Sequence, residues 1–458
     1  MNNKNNLEIN QIPERKNKYN SKLFFKILYA QIRYNRWKST IFTLATILLL
    51  YCILNYKNFN CEIEFITNNI IISTINKIFK LDISSNILIL VFSIIIYAIL
   101  IIFLGIPIGA KEKEENCSKA GIVNHLQQSP IFIRKYINKL NKKVIIYEFF
   151  ANATSYTEQW LKFQDKLEDS FDDYYIKGIK KNGKRILVYL TKEEINYSKP
   201  LYYKSKTIQE DEKYFKVPIG VNQFDEKVYW NISLIPHSLV GGETNSGKTV
   251  TEKFIIAYCL QHNCDVLLFD FKGGVDYNNP IWKENGLEIY TTIDDLIIQL
   301  EKAVDRLEET IRVFNKFRCS TFEQFKKKAH WSQRKSLLLV FDEAAEFLDK
   351  DRYITKEEKE KFKRIVNALN TLASRSRAFG INLCTITQSP SADIIPKFLR
   401  RNSGFRICFR ADNILSNIVL DNDNADKLIP KNSQGLCVTN QNELVKCYYA
   451  ENDEDYFK

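Results

Sequence analysis

The chain has 458 residues, 45% apolar and 26% charged, which is too long for one ordinary domain and too charged for a membrane protein throughout. A formal charge of +12 suits an anionic partner, either nucleic acid or phospholipid head groups. Ten cysteines without a C-x-x-C pair, and four scattered histidines (His125, His237, His262, His330), argue against a disulfide framework and against any structural metal beyond Mg²⁺.

Residues 1–20 are polar and rich in Asn and Lys, with no apolar period, which predicts disorder. From 21 to 38, Leu23, Phe24, Ile27, Leu28 and Ile32 mix with Lys22, Lys26, Arg33, Arg36 and Lys38. That pattern fits a basic amphipathic helix on a membrane surface, or a basic collar before a membrane helix. Positions 37–56, uncharged across 41–54, are just long enough to span about 30 Å of hydrocarbon. Positions 86–108, uncharged across 87–106, make a second span. A secretory signal fits the first stretch badly, because a long polar segment precedes it and no small-residue cleavage pattern follows. Nine Lys/Arg lie before the first uncharged core, against three in the short loop (Lys57, Lys77, Lys80). The positive-inside bias therefore predicts a transmembrane hairpin with both termini cytoplasmic. No charge lies mid-span, so a pore or proton relay through these helices is not expected.

Residues 111–119 read as a charged linker. Beyond it, 144–150 reads as a strand and 157–171 as an amphipathic helix, and strands 174–180 and 185–190 flank an Asn182-Gly183 hairpin turn. This small β-α-β-β unit ends in the polar stretch 191–213. It holds no concentration of catalytic residue types and reads as a docking or oligomerisation module.

From Tyr214 strands and helices alternate, which predicts an α/β domain with a parallel-rich sheet. Its centre is Ser238-Leu-Val-Gly-Gly-Glu-Thr-Asn-Ser-Gly-Lys-Thr249. The spacing from Gly242 through Glu243, Thr244, Asn245 and Ser246 to Gly247, Lys248 and Thr249 is that of a phosphate-cradling loop. The two glycines let backbone N–H groups point at one anion. Lys248 then reaches the β/γ-phosphates and the Thr249 hydroxyl can hold Mg²⁺. Apolar Leu239-Val240 precedes the loop, and a helix over 250–260 would point its N-terminus at the phosphates. Further on, strand 266–269 ends in Asp270-Phe-Lys-Gly-Gly274, a long helix covers 293–317, and 326–335 is basic. Strand 337–341 is apolar throughout, as a strand buried on both faces should be. It ends in Asp342, placed to hold Mg²⁺, and Glu343, placed to orient or deprotonate water. A helix over 358–379 leads to strand 382–387 and Gln388, which could sense the γ-phosphate. Helix 389–402, strand 405–409 and strands 435–438 and 444–449 complete the chain.

Residues 214–449 resemble the motor domain of the FtsK/SpoIIIE family of DNA translocases, within the HerA–FtsK group. The resemblance rests on Pro236 to Thr249, Leu339-Val-Phe-Asp-Glu343, Ser376-Arg-Ala-Phe-Gly-Ile381 and Thr387-Gln-Ser-Pro-Ser391, then on Arg406-Ile-Cys-Phe409, Asp421 and Ala425-Asp-Lys-Leu428. It implies a RecA-like hexameric ring that hydrolyses ATP at subunit interfaces and pulls double-stranded DNA through its centre; single-stranded DNA stays open as the alternative. Chromosome-segregating members usually carry four spans, a long linker and a winged-helix reader. Two expected spans and a short linker make this chain more similar to the Tcp-type coupling proteins of conjugative elements, which would add secretion-channel proteins and a relaxase as partners. The family's interface arginine corresponds to Arg377 or Arg406. Arg312, Lys316 and Arg318, or Lys397, Arg400 and Arg401, are the candidates for meeting DNA phosphates.

The expected division is a basic N-terminal segment (1–36), the hairpin (37–108), a linker with the small α+β module (109–213) and the motor (214–458). The competing readings are a chromosome-segregation translocase and a protein-secretion ATPase of the same superfamily, which usually carries several ATPase modules. A scaffold with a vestigial site is disfavoured by the intact Lys248, Thr249, Asp342 and Glu343, and a transporter ATPase by the lack of an L-S-G-G-Q signature.

Overall fold

The computed structural model describes residues 21–34, 36–55, 85–171, 173–203, 214–329, 333–388 and 394–457. The disorder expected for 1–20, the loop between the apolar stretches, residues 204–213 of the polar stretch and the start of the helix expected over 389–402 lie outside the described residues. The chain divides into two compact units, 1–195 and 196–458.

In the first unit, α1 (Ser21–Tyr34), α2 (Arg36–Asn55) and α3 (Ser85–Gly105) pack on one another. Thr46 Oγ1 and Tyr97 Oη share a 2.9 Å hydrogen bond between α2 and α3. Lys38 is buried, and its ammonium donates to the carbonyls of Leu104 at 2.9 Å and Ile106 at 3.0 Å. Carbonyls at a helix C-terminus lack intrahelical donors and carry the negative end of the macrodipole, so a cation is stabilised there. Trp37–Asn55 is long and apolar enough to cross a membrane. Leu90–Gly105 meets that measure only together with α4 (Ala110–Lys119), from which it is bent by 42°. Leu44, Leu48 and Leu54 on α2, with Ile96, Ile99 and Phe103 on α3, are exposed.

The segment expected as a charged linker is instead the helix α4. Ala110, Asn116 and Cys117 are buried, while Lys111 and Glu115 pair along the exposed side. The module after it is a four-stranded antiparallel sheet in the order β1 (Ile131–Ile137), β2 (Val144–Phe150), β4 (Arg185–Thr191), β3 (Tyr175–Asn182). Strand β1 was not anticipated, since its Ile-Phe-Ile-Arg-Lys-Tyr-Ile run alternates too briefly to stand out. The single helix expected over 157–171 is divided into a π-helical turn, Tyr156–Leu161, and α5 (Gln164–Asp169). The wide turn seats the fully buried Trp160 with its indole N–H on Thr154 Oγ1 at 2.9 Å.

The second unit is built on one sheet in the order β10-β9-β11-β12-β8-β13-β14-β15-β6-β7, with β5 (Leu201–Tyr202) added beside β15. The remaining strands are β6 (Lys216–Asn222), β7 (Lys227–Asn231), β8 (His237–Gly241), β9 (Cys264–Asp270), β10 (Glu288–Tyr290), β11 (Ser336–Asp342), β12 (Ile381–Thr387), β13 (Phe405–Phe409), β14 (Leu436–Thr439) and β15 (Leu444–Tyr449). From β10 to β13 every neighbouring pair is parallel; from β13 to β7 every pair is antiparallel. The sheet is thus a parallel core with an antiparallel wing.

Helices cover both faces of the parallel core. Leu338 and Val340 of β11 share a core with Phe254, Ile255 and Tyr258 of α6 (Lys248–Gln261). Leu337, Leu339 and Phe341 point the other way, toward Leu300 and Leu307 of α7 (Ile293–Phe317) and Leu369 and Leu372 of α9 (Lys356–Arg375). Between α7 and α9 in sequence lies α8 (Phe322–Lys328), and after β12 come α10 (Lys397–Asn402) and α11 (Asn413–Leu420). Successive side chains of a strand face opposite ways, so double burial demands the unbroken apolar run seen in the sequence. Helix α9 begins with a capping box between Thr355 and Glu358, which sets its start two residues before the expected 358.

Candidate active site

Five parallel strands finish side by side, at Gly241, Asp270, Asp342, Thr387 and Phe409. Asp342 lies opposite Asp270, and Gly241 lies between Thr387 and Cys408. Ligands of open α/β sheets bind beyond such strand ends. Every phosphate-loop and acidic residue singled out from the sequence comes to this edge.

The loop from Gly242 to Gly247 joins β8 to α6. Gly242 has φ +148°, and a Cβ there would meet Phe409 Cβ at 2.7 Å. Gly247 has φ +113°, and a Cβ there would meet Gly435 Cα at 2.8 Å. The two glycines are therefore required by both backbone sign and close approach. Asn245, φ +59°, takes the left-handed turn that Asn tolerates. Lys248 opens α6, is buried, and donates from Nζ to Glu243 O at 2.5 Å. Burial lowers its pKa to about 8, against the pull of the Glu343 and Asp342 carboxylates. Thr249 beside it is exposed.

Asp342 Oδ2 sits 3.2 Å from Lys272 Nζ. Burial raises the Asp342 pKa, and Lys272 opposes that rise. Lys272 itself stands above its ordinary value: burial works against it, but Asp342 and Glu343 outweigh burial. Glu343 is buried and held at φ +57°, an uncommon conformation for a residue with a side chain. Its carboxylate accepts from Thr387 Oγ1 at 3.2 Å and from the Gln388 N–H at 2.9 Å. Burial raises its pKa, while the Gln388 N–H and Lys272 work the other way. A carboxylate of raised basicity, fixed by two donors, suits proton abstraction from a bound water. Gln388 also reaches the phosphate loop, where its Oε1 accepts from Thr244 Oγ1 at 2.7 Å.

The two arginines do not come to this edge. Both lie at strand starts, Arg377 in the turn before β12 and Arg406 in β13. Arg406 is held by four hydrogen bonds within its own subunit. It donates to Ser403 O at 2.9 Å, Asp421 Oδ2 at 2.6 Å, Val419 O at 3.4 Å and Arg400 O at 2.5 Å. Arg377 is exposed and donates to Leu234 O at 3.3 Å. Arg312 and Lys316 on α7 and the following Arg318 are exposed, as are Lys397 and Arg401 on α10. Arg400 is half-buried, with its Nε enclosed.

Two features escaped sequence reasoning. One is Lys272, the cation on Asp342; the only signal was its place two residues past a strand end. The other is Arg410, just after β13, whose guanidinium lies 3.0 Å from the Glu243 carboxylate.

Residues 201–392 match the model of the FtsK/SpoIIIE family. The chain is 24% identical over 264 residues to the DNA translocase FtsK of Lactococcus lactis subsp. cremoris (strain MG1363), covering 53% of this chain and 33% of that protein. It is 25% identical over 256 residues to the DNA translocase FtsK of Streptococcus pneumoniae (strain ATCC BAA-255 / R6), covering 51% and 31%. It therefore spans about a third of the length of the curated relatives it matches. Among solved structures it is similar to the pCW3 conjugation coupling protein TcpA, in a monomer form with ATPγS. There the TM-score is 0.54 and the identity 25%, over 75% of this chain and 96% of that one.

Proposed function

We propose that this chain, which carries an FtsK/SpoIIIE-family P-loop ATPase domain over residues 201–392, is a membrane-anchored, ATP-driven DNA translocase. Its place is that of a coupling protein, delivering plasmid or integrative-element DNA to a conjugative type IV secretion channel with its relaxase. The observation that carries the reading is the convergence of Lys248, Asp342, Glu343 and Gln388 at one sheet edge. The likeness to TcpA, which takes in nearly all of that structure, supports the choice among translocases.

The phosphate loop, 242–249, holds the ATP phosphates, with Lys248 offsetting their charge. Mg²⁺ fits the hard oxygen donors Thr249 and Asp342. Among the described residues no three His, Cys, Asp or Glu side chains form a cage, so nucleotide phosphates and water would complete its shell. Mg²⁺ supplies charge neutralisation at the phosphates. Glu343 accepts the proton of the attacking water, and Gln388 ties its position to the phosphate loop.

The chain acts as a hexameric ring, in which an arginine of the neighbouring subunit offsets charge on the departing phosphate. Arg377 is the better of the two candidates, because four of the five Arg406 N–H donors already serve acceptors of its own subunit, against one bond from Arg377. Helices α2 and α3, with their exposed apolar side chains, form the two-span anchor with cytoplasmic termini. The anchor covers 37–108, after the basic segment 1–36; residues 109–213 form the docking module and 214–458 the motor. Either basic set, Arg312, Lys316 and Arg318 or Lys397, Arg400 and Arg401, meets DNA phosphates.

The test is ATP turnover by the full chain in detergent with double-stranded DNA, single-stranded DNA, an unrelated peptide or nothing added. Stimulation by DNA is expected. Stimulation by peptide alone, or by none of them, would overturn the reading.

A further inference from the structure

The phosphate loop contains a group that works against its task. Glu243 puts a carboxylate in the segment proposed to hold polyanionic phosphates, and a like charge left there without a cation would repel them. The structure shows how that charge is managed. Arg410 Nε lies 3.0 Å from Glu243 Oε2, and the Arg410 carbonyl accepts from the Glu243 N–H at 2.8 Å. The same guanidinium also donates to Lys431 O. The Glu243 carbonyl in turn accepts from Lys248 Nζ at 2.5 Å and Ser246 Oγ at 2.7 Å. Glu243 is thus fastened through its N–H, its carbonyl and its side chain, two of the three by Arg410.

The far end of the tether is part of the same wall. Just beyond Lys431, the Gly435 N–H donates to Ser246 O at 2.8 Å, and Gly435 is the residue that a Cβ on Gly247 would strike. Lys446 Nζ holds this segment from the other side through Gln434 O at 2.6 Å. Loop, Arg410 and segment 431–435 are linked by hydrogen bonds at both ends.

We propose that Arg410 is a positioning residue for the phosphate loop, neutralising Glu243 and holding its carboxylate off the triphosphate. The inference rests on the reading of this site as an ATP site. It differs from an arginine that acts on the leaving phosphate, because its effect passes through Glu243 and disappears when Glu243 carries no charge.

The experiment measures kcat and KM for Mg²⁺–ATP on the full chain, with ATPγS affinity as a second readout. Arg410→Ala leaves the Glu243 carboxylate unpaired near the phosphates. It should raise KM and weaken ATPγS binding about tenfold with much less change in kcat. Arg410→Lys keeps the charge and should recover most of the loss, which also guards against a fold defect in the alanine variant. In the double variant, Glu243→Gln with Arg410→Ala, KM should fall at least about threefold from that of Arg410→Ala alone. The proposal is overturned if Arg410→Ala lowers kcat at constant KM, or if the double variant stays as impaired as Arg410→Ala alone. If the unaltered protein neither binds ATPγS nor turns over ATP, the ATP reading itself fails instead.

Discussion

The backbone N–H of Gln388 donates to Glu343 Oε2 at 2.9 Å. Because the Gln388 side chain also accepts from Thr244 Oγ1, one residue connects the carboxylate that would activate water to the loop that would hold the phosphates. In the proposed reading, these two bonds would link phosphate occupancy to proton transfer.

Glu343→Gln keeps the size of the side chain and removes its basicity. Turnover is expected to fall at least about a hundredfold, with ATPγS affinity changed little. Gln388→Ala keeps the backbone N–H and loses only the Thr244 contact, so its smaller loss should fall on kcat. Equal losses of affinity and turnover in Glu343→Gln would make Glu343 a structural residue.

Lys248 titrates at about 8 in the folded chain and near 10.5 when unfolded. Between those values the unfolded chain holds more protons, so stability rises with pH there; below about 8 the buried charge is a standing cost. Nucleotide-free Lys248→Met should therefore be more stable than the unaltered protein at pH 7, by on the order of 1–2 kcal/mol. The difference should shrink as pH rises from about 8 toward 10.5. Thermal unfolding in detergent across that range reads it out. The same variant should lose ATP binding, since the charge that offsets the phosphates is gone.

Arg377 and Arg406 should separate cleanly. Arg406→Ala strips donors from three carbonyls and the Asp421 carboxylate, and should destabilise the fold by about 2–3 kcal/mol. Arg377→Ala should leave stability nearly unchanged and lower turnover by about 10³ or more. Mixing Arg377→Ala protein with Lys248→Ala protein should restore some activity, because one mixed interface pairs an intact arginine with an intact Lys248. No recovery, with full activity in a purified monomer, would remove the ring mechanism.

Lys38 ties three elements of the first unit together. Its ammonium bonds Leu104 O, Ile106 O and Gln31 Oε1, and Gln31 Nε2 in turn donates to Ile133 O of β1. Lys38→Met would remove this donor from the buried Leu104 carbonyl and from the part-buried Ile106 carbonyl. A loss of about 2–3 kcal/mol is expected in detergent unfolding, while ATP turnover of the full chain stays near normal. An equal loss of turnover would show that these helices take part in catalysis.

What the sequence determined alone is local. A phosphate loop is a run of eight residues whose glycines impose their own backbone signs, and a buried parallel strand must be apolar at every position. Gly242 to Thr249 and the strand ending at Asp342-Glu343 were legible because neighbours along the chain decide them. The Asn182-Gly183 turn was legible for the same reason. Failures came where a side chain answers to something distant. Residues 111–119 look like a solvated linker until Cys117 has a core to enter, and 157–171 reads as one helix until Trp160 has to reach Thr154. Neither the Lys272–Asp342 pair nor the Glu243–Arg410 pair has any spacing to betray it. Each exists because the strand order sets β9 against β11 and β8 against β13 in one register. The same order leaves Arg406 with its acceptors and Arg377 exposed, a difference that composition and spacing do not show. Only the sheet brings such residues within hydrogen-bonding distance, because a contact between remote segments depends on which strands are neighbours and not on the residues between them.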